Sequence, residues 1–88
     1  MYRVTVVCGG LTEAEGSGAV ACILDEFTHR PWHKTVACEW RDGILWLSAS
    51  NDYDQTGQAL LDEFGDAIIA CVSPVGSIRS KVEAVVAQ

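Results

Sequence analysis

The amino-acid sequence predicts an α+β domain in two layers. A four-stranded antiparallel sheet carries two helices on one face, in the chain order β-α-β-β-α-β. Three observations lead there. Residues 2–8, YRVTVVC, alternate with a period of two, the mark of a half-buried strand. Two later stretches, beginning near 12 and near 55, carry apolar residues at helical spacing. Between them, two alternating runs flank Asp42-Gly43, a strong signal for a two-residue hairpin turn.

Taken in order, the first strand sets Tyr2, Val4, Val6 and Cys8 on one face and Arg3, Thr5 and Val7 on the other, and Gly9-Gly10 ends it. Thr12 and Glu15 form a capping box for the first helix. Val20, Ile23, Leu24 and Phe27 make its apolar stripe, with Asp25 and Glu26 outside. Gly16 and Gly18 weaken the first turns, by about 1 kcal/mol each relative to alanine, and move the expected start toward Ser17. Pro31 closes the region. Across the predicted hairpin, Trp40 faces Leu45, Cys38 faces Leu47 and Val36 faces Ala49. The second helix is expected over 55–72, with Leu60, Leu61, Phe64, Ile68, Cys71 and Val72 on one stripe before Pro74 and Gly76 stop it. Residues 77–87 alternate again, with Ile78, Val82, Ala84 and Val86 against Arg79, Lys81, Glu83 and Val85.

The short sequence ILDEF at 23–27 returns as LLDEF at 60–64. Both copies fall on helices with a strand before and a strand after. This order of elements is that of the split βαβ, or ferredoxin-like, arrangement. In it the strands lie in the order 4-1-3-2, and the uncovered face of the sheet is open.

The chain has 88 residues, 49% of them hydrophobic. That sets one domain, 1–88, with a real but limited core. Twelve acids against six bases leave a net charge of −6, which argues against nonspecific nucleic-acid binding and against an anionic membrane surface. The N-terminus alternates and is not a signal peptide, and the longest apolar run, AIIACV, is far too short for a membrane span. A soluble cytoplasmic chain is expected. Cys8, Cys22, Cys38 and Cys71 form no Cys-x-x-Cys pair, so neither a zinc ribbon nor a thioredoxin-like motif is present. Four cysteines could make two disulfides in a secreted protein, but with no signal peptide read, free thiols in a reducing compartment are expected.

Several motifs touch on chemistry. DYDQTGQALLDEF, 52–64, matches the spacing of a calcium loop, with Asp52, Asp54, Thr56, Gly57 and Glu63 at the required places. The segment entering it reads as a strand rather than a helix, and Leu60 and Leu61 belong to a helical stripe. A helix N-cap at Asp54 or Thr56 explains the same residues. His29 and His33 have metal-like spacing, but Pro31 lies between them and breaks the helix such a pair requires. Cys22 is off its stripe and beside acids, which oppose thiolate formation, while Cys8 has a better position before a helix start. Cys8-Gly9-Gly10 offers backbone amides to an anion, without the spacing of a nucleotide loop. No catalytic centre, metal or cofactor is expected.

The open sheet face holds the candidate site. It is expected to carry Arg3, Arg41, Arg79 and Lys81 around Trp46, Ile44 and Val7, with Val85 completing an apolar patch. In one reading this patch is buried by a second copy, giving a homodimeric interaction or regulatory module. In the other, Trp46 and the arginines, or the Cys8–Thr12 turn, take a small ligand, an anion or single-stranded RNA. The first strand supplies no second aromatic for stacking bases, which favours the protein–protein reading.

Overall fold

In the computed structural model, which describes Met1–Gln88, six elements follow in order: β1 (Tyr2–Gly9), α1 (Glu13–Thr28), β2 (Lys34–Arg41), β3 (Ile44–Asn51), α2 (Gln58–Cys71) and β4 (Arg79–Ala87). The strands form one antiparallel sheet in the order β2-β3-β1-β4. No helix is long and apolar enough to cross a membrane.

Both helices press on the same side of the sheet. Val4, Val6 and Cys8 from β1 and Leu45, Leu47 and Ala49 from β3 meet Ile23 and Phe27 of α1 and Leu60, Phe64 and Ile68 of α2 in one buried cluster. The hairpin follows its turn signal: Asp42 (φ 54°) and Gly43 (φ 74°) both adopt left-handed backbone, which matches the twist of the two strands. Trp40 pairs with Leu45 and Cys38 with Leu47, as expected.

α1 starts at Glu13 rather than near Ser17. The capping box forms, with Thr12 N–H donating to Glu15 at 2.8 Å and Glu15 N–H donating to Thr12 at 3.2 Å. Gly16 is the seat of Trp40: a Cβ there would lie 2.1 Å from the indole ring carbons. The indole Nε1 donates to Glu13 at 2.6 Å, which holds the ring down on α1. Gly16→Ala is therefore expected to lower unfolding stability by about 1–3 kcal/mol through overpacking, despite alanine's better helix propensity. A urea titration that shows the variant as stable as the wild type would contradict this packing.

Two bulges change the expected faces. The β1–β4 register shifts between Thr5 and Val6, so Thr5 pairs with Ala84 and Val4 with Val85. An extra residue in one strand reverses the alternation beyond it. Val85 therefore packs on the core, and Val86, which is 57% exposed, takes its place on the open face. On the other edge the β2–β3 register shifts between Lys34 and Ala37. Thr35 is driven to φ 51°, the Val36–Ala49 pairing is lost, and Lys34 comes opposite Ser50.

The expectation of four free thiols fails. Cys22 of α1 and Cys71 of α2 are bonded, leaving Cys8 and Cys38 free. With it goes the thiol-based part of the argument for a reducing compartment.

Candidate binding face

The open face is built by alternation. Arg3, Thr5 and Val7 of β1 stand beside Ser50, Ser48 and Trp46 of β3. Glu39 and Arg41 of β2 pair with Trp46 and Ile44, while Lys81 and Arg79 of β4 pair with Val7 and Gly9. The structure thus brings Trp46, Ile44, Val7, Arg3, Arg41, Arg79 and Lys81 onto one surface, as expected for each of them. Lys34, moved by the bulge, joins them. Five of the six cations and two of the twelve carboxylates, Glu39 and Glu83, lie on this face.

These cations differ in what they can do. Arg3 lies flat and is occupied within the fold: it donates to the Thr35 carbonyl at 2.7 Å, to Ser50 at 3.2 Å and to Ser48 at 2.8 Å. It ties the bulged edge to the sheet centre. Arg41 stacks on the Trp46 ring at 4.2 Å and pairs with Glu39 at 3.4 Å. Lys81 pairs with Glu83 at 3.8 Å; both pairs are exposed and screened, so they exchange readily for other partners. Val7 is only 5% exposed, beneath its larger neighbours.

A hollow of about 510 Å³ lies beside Trp46, floored by the small side chains of Thr5, Ala37, Ser48 and Ala84 and edged by Glu39, Arg41 and Glu83. A second depression of about 510 Å³ lies among Val7, Gly9, Ile44, Arg79 and Lys81. The Trp46 Nε1 is buried without an acceptor. Leaving such a donor unmatched is costly.

A polar cluster that the sequence did not reveal sits on the far side of the molecule. His33 is buried, with Nε2 against the Glu63 carboxylate and Nδ1 3.4 Å from the Asn51 amide nitrogen. Glu63 also accepts from the Trp32 indole at 3.2 Å and faces Arg30 at 3.5 Å. Tyr53 borders the imidazole, and its hydroxyl pKa is raised by burial and then by the Glu63, Asp54 and Asp52 charges. Both imidazole nitrogens are thus engaged within the protein. The network joins the loop after α1 to β3 and α2, which is a structural task. His29 caps α1 and is exposed, so the two histidines do not converge. The repeated DEF motif finds a physical sense here: Glu26 and Glu63, its two glutamates, both approach Arg30.

The calcium-like stretch serves the start of α2, but the expected N-cap is displaced. The helix begins at Gln58 rather than 55, its N-cap is Gly57 rather than Asp54 or Thr56, and Asp54 reaches the first-turn N–H groups from three residues earlier. Asp54 is buried and accepts from Ala59 N–H at 3.2 Å and Leu60 N–H at 2.9 Å. Asn51 in turn accepts from Asp54 N–H at 2.7 Å. Gly57 (φ 82°) is required by its left-handed backbone and by its close approach to Val4 and Val82. Asp54→Ala is expected to cost about 1–3 kcal/mol in urea unfolding by orphaning two N–H groups. Calcium-dependent stabilisation of the wild type would contradict the cap assignment.

The Cys8–Thr12 turn is filled by the chain itself. Gly10 packs against the Ser77 carbonyl, and Glu15, already capping Thr12, also accepts from Val75 N–H at 3.0 Å. Burial raises the Cys8 thiol pKa, with hydrogen bonding from Ser80 and Arg79 opposing it. Burial, with the Glu39 charge added, pushes Cys38 up to about 12. Both thiols are poor nucleophiles at neutral pH.

The chain matches no protein-family model, no curated protein and no solved structure in the comparisons.

Proposed function

We propose that the chain is a non-catalytic interaction module of ferredoxin-like architecture that pairs with a second copy of itself through the open sheet face. One observation carries the reading: the half-buried Ile44 and Trp46, around a recessed Val7, form an apolar centre on a face that no helix covers. Apolar patches of this kind mark interfaces. The edges of the sheet support the choice of the face. Both edge strands carry a bulge, and Lys34, Arg41, Arg79 and Lys81 lie along them, which are the devices that discourage edge-to-edge pairing.

A second reading, binding of an anionic ligand, is favoured by the five cations gathered on the same face. The two separate on Trp46→Glu, followed by light scattering on a sizing column. Self-association predicts a wild-type dimer and a folded monomeric variant. A wild type that is monomeric and binds polyanions through Arg41, Arg79 and Lys81 would sink the first reading in favour of the second.

A further inference from the structure

The sheet register allows the mode of pairing to be derived. This step rests on the self-association reading. Glu39 pairs with Trp46, Trp46 with Val7, and Val7 with Lys81. The four residues therefore stand in one row across the open face. From β2 to β4 the row runs acid, aromatic, aliphatic, cation.

We infer that two copies pack face to face about a two-fold axis parallel to the strands, lying over the boundary between β3 and β1, with Glu39 of each copy meeting Lys81 of the other. Such an axis keeps each residue's height along the strand and exchanges left for right. β2 of one copy comes over β4 of the other, and β3 over β1. Glu39 then faces Lys81 of the second copy and Trp46 faces its Val7, each contact made twice.

The sizes fit as well as the charges. Packed sheets lie about 10 Å apart, so a large side chain on one must oppose a small one on the other. Trp46 over a recessed Val7 meets that condition, and the neighbouring hollow floored by Thr5, Ser48 and Ala84 gives the indole room. A two-fold axis perpendicular to the strands would instead set each β2 on its own copy, bringing Arg41 over Lys34. Like charges oppose that arrangement.

The favoured arrangement has one repulsive row. Arg41 pairs with Ile44 and Arg79 with Gly9 at the same end of the sheet, so Arg41 comes opposite Arg79 of the second copy. Arg79→Glu is accordingly expected to tighten the dimer, although it makes an acidic chain more acidic.

The test is a charge swap read by sedimentation equilibrium, with circular dichroism confirming the fold of each variant. Both positions are exposed in the single chain. Glu39→Lys and Lys81→Glu are each expected to weaken self-association about tenfold or more. Mixing the two variants restores complementary charges at both contacts, and a one-to-one complex of wild-type affinity is expected. If the wild type dimerises while both swaps self-associate as tightly as it does, or the mixture fails to recover, the pairing is wrong and the self-association reading stands. If the wild type is a monomer at every concentration, both fall together.

Discussion

Removing the Cys22–Cys71 bond is expected to lower unfolding stability by about 2–4 kcal/mol, one of the largest single effects available in this chain. The bond closes a loop of 49 residues. In the chain-entropy account a loop of that length restrains the unfolded state by about 4 kcal/mol. The bond also fastens α1 to α2. The expected result is a lower urea midpoint for the Cys22→Ser/Cys71→Ser double variant, and the same shift for the wild type under reductant. Cys8 and Cys38 are free thiols, so the reductant has one bond to act on, Cys22–Cys71. An unchanged midpoint in both experiments would show that the helices need no covalent tie.

Phe64→Ala is expected to cost about 3–5 kcal/mol. Phe64 is fully buried at the centre of the cluster that joins α2 to the sheet and to α1. Truncation leaves a cavity that neighbours on three elements cannot close together. Domains of this size have total stabilities of about 5–15 kcal/mol, so the variant should be largely unfolded when the disulfide is also reduced. Thermal melts of Phe64→Ala with and without reductant check this. A variant with near wild-type stability would mean that the core is organised around some other residue.

Much of this architecture is legible in the sequence. β1, the turn half of the hairpin and α2 declare themselves because each keeps one periodicity there and is bounded by a glycine, an Asp-Gly pair or a proline. The bulges do not declare themselves. In VEAVVA either register of β4 delivers a valine to the core, so the sequence pattern cannot distinguish Val85 from Val86. The disulfide joins Cys22, off the stripe of its helix, to a cysteine 49 residues away. Nothing local marks that pair, because tertiary packing of the two helices creates it. The His33 cluster escapes for the same reason: its principal partner, Glu63, lies 30 residues on and reads as the outer face of a helix.

The binding face is a more exacting case. All seven predicted residues reach it, because five of them occupy stretches of unbroken alternation and the other two, Arg79 and Lys81, precede the β4 bulge. Their roles do not follow from the sequence. Arg3 serves the fold, holding the Thr35 bulge, whereas the ion pairs of Arg41 and Lys81 are exposed and exchangeable, with Arg41 also stacked on Trp46. Arg3→Ala should therefore disturb the edge of the sheet, and Lys81→Glu the association of copies.

The most direct measurement is the solution mass of the unmodified chain by sedimentation equilibrium across a wide dilution series. The account predicts a reversible two-fold increase over the 9.5 kDa monomer at high concentration, lost in Trp46→Glu. A mass of one chain at every concentration would contradict it.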